Sequence, residues 1–199
     1  MKILIACEYS QRVGDAFSIL GHDVTTCDLL PGEGIGITKH VQGDVTPLLK
    51  ENWDMIIAFP SCQYLTNSGV RWLVSKDGNG NKVFNQERWE NMIEATKFFK
   101  LFLNHPCEKI AIENPIMHGY AKDEIGKEYS QIVQPHYFGD PYTKATCLWL
   151  KGLPELKKTN SVNPSEGSKM HKLPPSKYRA KLRSLTPQGL ADAMAQQWG

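Results

Sequence analysis

The sequence predicts an α/β domain built on a mostly parallel, doubly wound sheet. Short apolar runs alternate along the chain with amphipathic helical patterns, an order typical of β-α-β units. The chain has 199 residues, of which 41% are hydrophobic and 22% are charged, a globular composition of ordinary size for one domain. We therefore expect a single domain over residues 1–199, with a ligand-binding crevice at the ends of its parallel strands.

The first elements follow from the hydrophobic pattern of the N-terminal segment. Residues 2–6 are predicted as a strand, residues 12–20 as a helix and residues 22–27 as a second strand that ends at Asp28. An acid at the end of the second strand is where nucleotide-binding α/β folds hold ribose hydroxyls. An aspartate that starts a loop is equally often a turn former, so both roles stay open for Asp28.

The later elements are predicted from the same patterns. They comprise a long polar loop at 65–84, a helix at 86–104, an antiparallel edge pair at 131–136 and 146–150, and a terminal helix at 191–198. The helix at 86–104 is the clearest, because its apolar residues recur at three- and four-residue steps. A turn at 139–142 is expected to join the two edge strands.

Two further strands end in residues that point to chemistry. One apolar run ends in a Pro-Ser turn that presents Cys62, and another, about fifty residues later, ends in Glu113. A thiolate that adds to carbon-6 of cytosine turns the ring into an enamine, and a carboxyl group at ring nitrogen-3 stabilises the charge that develops. Taken singly, each residue also has a structural explanation, because cysteine is often a small buried hydrophobe and Glu-Asn-Pro often turns a chain out of a strand.

These residues lie in motifs that resemble a known family. The Pro-Ser-Cys-Gln segment at 60–63 resembles the Pro-Cys-Gln nucleophile motif of the DNA cytosine-5 methyltransferases, and Glu-Asn-Pro at 113–115 resembles their Glu-Asn-Val motif. Further segments resemble family motifs in the family's own order, namely Gly-Asp-Val-Thr at 43–46, Leu-Thr-Asn-Ser-Gly at 65–69, Tyr-Phe-Gly-Asp-Pro at 137–141 and Arg-Ser-Leu-Thr-Pro at 183–187. The resemblance extends over most of the chain.

The resemblance implies a Rossmann-like, S-adenosylmethionine-dependent methyltransferase fold, with Cys62 as the nucleophile and Glu113 as the acid. Cofactor contacts are predicted at Cys7, Glu8, Asp28, Asp44 and Pro60. Substrate contacts are predicted at Ser61, Gln63, Asn114, Lys144, Lys177, Arg179 and Arg183. Within the second group, Gln63 and Asn114 are expected to act as local hydrogen-bonding supports.

The sequence departs from the family pattern at several places, and it also lacks a clear Gly-Asn-Ala-Val motif near its end. The family's opening loop is rich in glycine, whereas residues 5–11 contain none. Lys144 stands where family members carry arginines. Arginine can bind a partner through two parallel hydrogen bonds, and lysine cannot. Only about thirty residues separate Leu153 from Arg183, where larger members insert a target-recognition domain. We therefore expect a short, phage-type member without that domain.

Charge is distributed unevenly along the chain. Residues 1–150 contain 14 Lys and Arg against 18 Asp and Glu, whereas residues 151–199 contain 9 against 3. Residues 151–185, which we call the basic tail, are predicted as a loop that contacts DNA phosphates, with a solubilising surface segment as the alternative. Three functions follow: cytosine-5 methylation of DNA, the same chemistry on a free pyrimidine nucleotide, and a nucleotide- or cofactor-binding module without catalysis.

The remaining features concern the setting of the protein. Five scattered cysteines without Cys-x-x-Cys spacing indicate neither a disulfide framework nor a zinc site, and no metal is expected. No apolar run approaches the ~20 residues of a membrane helix, and the N-terminal run is too short for a signal peptide. We therefore expect a cytoplasmic protein without a membrane partner. The sequence carries no signal for an oligomeric state.

Overall fold

A seven-stranded sheet forms the centre of the computed structural model, which describes residues 1–70 and 72–199. Its strands are β1 (Lys2–Ala6), β2 (Asp23–Asp28), β3 (Lys39–Gln42), β4 (Met55–Ala58), β7 (Lys109–Pro115), β8 (Gln131–Val133) and β9 (Thr146–Lys151), and a separate hairpin holds β5 (Val74–Lys76) and β6 (Lys82–Phe84). The order in the large sheet is β3-β2-β1-β4-β7-β9-β8. The first five are mutually parallel, and β9 is antiparallel to both of its neighbours.

Helices cover both faces of the large sheet. The helices of the described residues are α1 (Arg12–Ile19), α2 (Asn67–Val70), α3 (Gln86–Leu103), α4 (Gly119–Ile125), α5 (Lys169–Lys172), α6 (Arg179–Ser184) and α7 (Gln188–Trp198). One hydrophobic cluster joins the sheet to α1 and α7, and the other joins it to α3 and α4. The predicted doubly wound architecture is therefore confirmed. No helix in the described ranges is long and apolar enough to cross a membrane.

The central strand β1 shows why its sequence is a continuous apolar run. Ile3 and Ile5 pack into the cluster with α1 and α7, whereas Leu4 and Ala6 pack into the cluster with α3 and α4. All four side chains are fully buried. A strand covered on both faces cannot alternate apolar with polar residues, which is the pattern expected of parallel sheets.

The predicted antiparallel pair is confirmed by β8 and β9, the last two strands of the chain. Strand β8 pairs with β9, and β9 pairs in turn with β7. The predicted tight turn between β8 and β9 is wrong, because residues 134–145 form a longer connection that begins with a 3₁₀ turn at Pro135–Tyr137. With this edge pair, the sheet has the Rossmann-like architecture that the methyltransferase resemblance implies.

The segment at 65–84 is not the long loop that its polar composition predicted. It holds α2 and the β5–β6 hairpin, whose turn is closed by Asp77 through hydrogen bonds from the backbone amides of Asn79 and Asn81. The ring of Phe84 packs edge-on against Trp89 of α3 and Tyr120 of α4, with centroids 5.2 and 5.8 Å apart. Three-residue strands are too short to produce a period-2 signal, so the hairpin was missed.

Other boundaries lie close to the predicted ones. Asn85 caps α3 by accepting a hydrogen bond from the backbone amide of Arg88, as its position before the apolar stripe suggests. The short elements β3 and α4 have no counterpart in the predicted set. The basic tail, predicted as a loop, contains α5 and α6.

Candidate active site

The two strands that end in Cys62 and Glu113 are neighbours in the sheet. Strands β4 and β7 run parallel, with Ala58 opposite Ile112. Glu113 follows Ile112 within β7, and Cys62 lies in the turn just after β4. Because both strands point the same way, the thiol and the carboxyl group belong to the same edge of the sheet.

The turn that carries Cys62 is held by hydrogen bonds from both sides. The buried side-chain amide of Asn114 donates to the carbonyl oxygen of Pro60 at 3.0 Å. The carbonyl oxygen of Cys62 accepts from the backbone amides of Leu65 at 3.1 Å and Thr66 at 3.2 Å. Strand β7 therefore fixes one side of the turn, and the turn closes on itself at the other.

Cys62 is the exposed cysteine of this chain: three of the other four are buried, and Cys7 is half-buried. Desolvation by the surrounding protein raises the pKa of the Cys62 thiol, and the nearby charge of Glu113 raises it further. The positive charges of Lys144 and Arg183 act in the opposite direction. These influences show that one acid and two cations lie within electrostatic reach of the thiol.

Glu113 is half-buried, and its environment favours the protonated form. Burial raises the pKa of this carboxyl group, while the charge of Lys144 and a hydrogen bond from the Thr146 hydroxyl partly offset the rise. Thr146 lies on β9, directly beside the end of β7. The ammonium group of Lys144 also donates to the carbonyl oxygen of Leu185 at 3.3 Å, which ties the end of the basic tail to the site. A carboxyl group with a raised pKa is suited to donating a proton.

Arg88 and His118 support the turn and were not predicted from the sequence. Arg88 donates from Nη2 to the carbonyl oxygen of Gln63 at 3.3 Å, and its guanidinium lies 5.0 Å from the ring centre of Tyr64. His118 accepts the backbone amide of Ala121 at Nδ1, so its Nε2–H donates to the Tyr64 carbonyl oxygen at 3.0 Å. Neither contact has a sequence signal, because the partners lie 25 and 54 residues apart.

Asp28 and Asp44 lie at adjacent strand ends on the other side of β1. Asp28 stands opposite Gln42, and its carbonyl oxygen accepts the Gly43 amide at 2.8 Å. The Asp28 carboxylate accepts the Leu30 amide at 2.9 Å, so this side chain forms the turn after β2. Asp44 accepts from the amide and hydroxyl of Thr46, and these bonds lower the pKa of its carboxyl group.

Cys7 belongs to the same end of the sheet. Burial raises the pKa of its thiol to about 12, with further contributions from Asp28, Cys27 and Asp44. Leu29 follows Asp28 and exposes 74% of its surface. Two carboxylates and an exposed apolar side chain are groups that fit the hydroxyls and the ring of a nucleoside.

The opening loop takes a glycine-like path without glycine. Cys7 and Gln11 have φ values of 61° and 55°, in the left-handed region that costs a non-glycine residue about 1–2 kcal/mol. The buried carboxyl group of Glu8, predicted as a cofactor contact, accepts the amides of Val13 at 2.8 Å and Gly14 at 3.2 Å. Burial raises its pKa to about 7 despite these bonds. The side chain of Glu8 thus caps α1, a role that the sequence did not predict.

The basic tail folds back over this loop. The Tyr9 hydroxyl donates to the Lys181 carbonyl oxygen at 2.8 Å, and Lys181 forms an ion pair with Glu33. Arg179 donates to the carbonyl oxygen of His171 at 3.1 Å. Of the predicted phosphate contacts, Arg183 is the one that acts on Cys62, whereas Arg179 is held within the tail.

The other predicted substrate contacts are surface residues. Lys177 is exposed, with its ammonium group 5.0 Å from the ring centre of Tyr178. Ser61 and Gln63 flank Cys62 and are also exposed. The backbone amide of Gln63 donates to the Ser61 hydroxyl at 3.5 Å. The structure therefore brings together Cys62 and its flanking residues and leaves Lys177 on the exposed surface of the tail.

Comparison with known proteins shows similarity at the level of the fold. No family model matches the chain, and no curated protein matches it. Solved structures with a similar fold include a DNA modification methyltransferase assigned to a prophage of E. coli, with a TM-score of 0.48, 15% identity and coverage of 78% of this chain and 49% of that one. Another is the Entamoeba histolytica methyltransferase EhMeth, with a TM-score of 0.45, 13% identity and coverage of 81% of this chain and 57% of that one. A third is the S. pombe Dnmt2 methyltransferase, with a TM-score of 0.41, 16% identity and coverage of 78% of this chain and 51% of that one.

The chain spans about half the length of these proteins. At identities of 13–16% the likeness concerns the chain path and not the chemistry. The function of this chain therefore has to be argued from the residues of its own site.

Proposed function

We propose that this chain methylates carbon-5 of cytosine in DNA, with S-adenosylmethionine as the methyl donor and Cys62 as a covalent nucleophile. The observation that carries the proposal is that the exposed Cys62 thiol and Glu113 lie at the ends of two neighbouring parallel strands, with the positive charges of Lys144 and Arg183 acting on the thiol. The reaction needs a nucleophile for the ring, an acid for a ring nitrogen and positive charge beside the thiolate.

The side chains divide this chemistry between them. The Cys62 thiolate forms a bond to carbon-6, and the electron pair of the carbon-5–carbon-6 double bond becomes available at carbon-5. The Glu113 carboxyl group donates its hydrogen to ring nitrogen-3, where negative charge accumulates. Bound S-adenosylmethionine supplies an electrophilic methyl group. Loss of the carbon-5 proton to a base or to water, cleavage of the carbon–sulfur bond and return of the nitrogen-3 proton to Glu113 restore the aromatic ring, the Cys62 thiolate and the Glu113 acid.

The carboxyl ends of β1, β2 and β3 supply residues that fit the cofactor. We assign the Asp28 carboxylate to the ribose hydroxyls and the Asp44 carboxylate to the adenine, with the exposed Leu29 against the ring. Cys7 and Pro60 line the adjacent strand ends, next to the loop in which Glu8 caps α1. This assignment uses the two carboxylates as hydrogen-bond acceptors.

A free pyrimidine nucleotide is the second candidate substrate. It is favoured by the state of the basic tail, in which Lys181 pairs with Glu33 and Arg179 is held by His171. These contacts reduce the number of cations that can meet a phosphate backbone. Lys177 and Arg183 are left as the tail residues best placed to meet DNA.

Covalent trapping tests the proposal directly. The chain is incubated with S-adenosylmethionine and a duplex that contains 5-fluorocytosine, and adducts are located by peptide mass spectrometry. Fluorine cannot leave as a proton does, so we expect a stable adduct on Cys62 that is absent from Cys62→Ala. Equal trapping of the free 5-fluorinated nucleotide would favour the second substrate. Binding of both without any adduct would leave only a binding module.

A further inference from the structure

A groove of roughly 340 Å³ opens beside the turn that carries Cys62, and the proposed chemistry does not use it. It is lined by Tyr64, Trp72, Asn85, Glu87, Arg88 and Asn91. The groove is joined to the nucleophile turn, because its wall residue Arg88 bonds the Gln63 carbonyl oxygen. Its volume lies at the small end of the range for ligand sites, which begins at roughly 300 Å³.

The walls of the groove combine flat rings with hydrogen-bonding groups. Trp72 exposes 60% of its surface, and the guanidinium of Arg88 lies 5.0 Å from the Tyr64 ring centre. Aromatic rings and arginine planes are the surfaces on which unstacked nucleic-acid bases pack. Glu87 and Asn91 supply a carboxylate and an amide that match the donors and acceptors on a base edge.

The groove is held in shape by contacts of its wall segments with their neighbours. The Asn85 amide donates to the Leu73 carbonyl oxygen at 3.0 Å, which joins the start of α3 to the segment that carries Trp72. Phe84 packs edge-on against Trp89 on the same helix. A pre-formed site binds its ligand with less loss of side-chain freedom than a mobile surface does.

We propose that this groove binds the base of the nucleotide next to the target cytosine in a locally single-stranded segment. The inference rests on the proposed function, because Cys62 defines where the target lies. A base can present its face to Trp72 and its edge to Asn91 only after it has left the stack of a duplex. The substrate class is therefore a polynucleotide in which at least two adjacent bases are unstacked.

Equilibrium binding of fluorescent oligonucleotides to the full chain tests the groove. One single strand carries a cytosine with ordinary neighbours, and a matched strand carries abasic sites on both sides of that cytosine. We expect Trp72→Ala to weaken binding of the ordinary strand by roughly 5- to 150-fold, the effect of removing one stacking interaction between a base and an aromatic ring. The abasic strand should bind the native chain and the variant equally.

Two controls make the result specific. Leu101→Ala removes an exposed apolar side chain elsewhere on α3 and should leave both affinities unchanged. Trp72→Phe keeps an aromatic face and should restore most of the binding to the ordinary strand. Equal losses of affinity for the ordinary and abasic strands, or an unchanged affinity with Trp72→Ala, would overturn the groove assignment.

The binding test of the groove gives a result whether or not the chain methylates cytosine. Binding is measured without methyl transfer, so a chain that forms no adduct with 5-fluorocytosine still reports on Trp72 through the two strands. Tight binding of free deoxycytidine monophosphate that depends on Trp72 would contradict the polynucleotide assignment, because the target base alone would then fill the groove. A Trp72-dependent preference for ordinary neighbours supports it even if methylation is absent.

Discussion

Asn114 holds Pro60 by a hydrogen bond of 3.0 Å from its side-chain amide to the proline carbonyl oxygen. Asn114 is completely buried at the end of β7, and Pro60 lies just before Cys62 in the turn after β4. The bond therefore sets the nucleophile turn against the strand that carries Glu113. The Oδ1 atom of Asn114 is buried without a hydrogen-bond partner among the residues that the structure describes.

The charges around Cys62 predict how its reactivity depends on pH. Because Glu113 raises the pKa of the thiol and Lys144 and Arg183 lower it, Glu113→Gln should lower the pKa and Lys144→Met or Arg183→Met should raise it. Alkylation by iodoacetamide, followed from pH 6 to about 10, should therefore be faster in the first variant and slower in the others at a given pH.

The site of alkylation provides the control. Burial raises the pKa of Cys7 to about 12 and that of Cys147 to about 11, so both thiols should stay unlabelled while Cys62 reacts. Lys172→Met, a substitution of an exposed cation in α5, should leave the pH profile unchanged. Labelling that falls mainly on Cys7 or Cys147 would show that Cys62 is not the reactive thiol.

Glu113→Gln should reduce turnover by roughly a hundredfold or more, because the acid acts on charge that develops in the transition state. Cofactor affinity, measured by calorimetry, should stay nearly unchanged. Glu108→Gln is the matched control, since Glu108 is exposed just before β7. A variant with normal turnover in its folded fraction and lower stability would instead mark Glu113 as a structural residue at the end of its strand.

Asp28→Ala and Asp44→Ala should each weaken binding of S-adenosylmethionine more than binding of nucleic acid. Asp28 ends β2 and Asp44 follows β3, and neither residue lines the groove that we assign to the polynucleotide. Isothermal calorimetry measures the first affinity and fluorescence anisotropy the second, with the exposed Asp123→Ala as control. No heat of cofactor binding by the native chain would contradict the methyltransferase proposal itself.

Glu8 should make the protein less stable as the pH rises from about 4.5 to about 7. Its folded pKa is raised from 4.5 to about 7, so in this window the unfolded chain ionises while the folded chain keeps its proton. The free energy of unfolding of the native chain, measured relative to that of Glu8→Gln, should therefore fall by roughly 1.4 kcal/mol per pH unit. Over the whole window the fall is about 3 kcal/mol. Urea unfolding at several pH values measures this difference, and a constant difference would refute the assignment.

The basic tail should give DNA binding a measurable salt dependence. Neutralising Lys177, Arg179, Lys181 and Arg183 together should flatten the plot of log affinity against log salt, by roughly one unit for each phosphate that is no longer neutralised. Single substitutions should divide the effect unevenly. Lys177→Ala and Arg183→Ala should account for most of it, because Lys181 is paired with Glu33 and Arg179 with His171. An affinity that does not respond to salt would contradict the DNA assignment.

The alternation of apolar runs and helical patterns was enough to predict the class of fold. Buried strands such as β1 and β4 are apolar at every position after Lys2, and α3 carries a clear stripe after its Asn85 cap, so local sequence determines these elements. The β5–β6 hairpin and the short β3 were not predictable in this way, because three or four residues cannot establish a period. The hairpin is stabilised by distant partners, as Phe84 packs on Trp89 and Tyr120.

The sequence by itself identified the candidate groups, since Cys62, Glu113 and Asp28 lie at the ends of strands that it predicts and Asp44 lies in a segment that resembles a family motif. Only the tertiary structure decided their surroundings. Arg183 lies in α6, more than a hundred residues after Cys62 in the sequence, and it acts on the Cys62 pKa through space. Glu8 was assigned to the cofactor from its place in the opening loop, yet the fold turns its carboxyl group onto α1. Electrostatic fields and hydrogen bonds depend on distance in space, which local sequence patterns do not record.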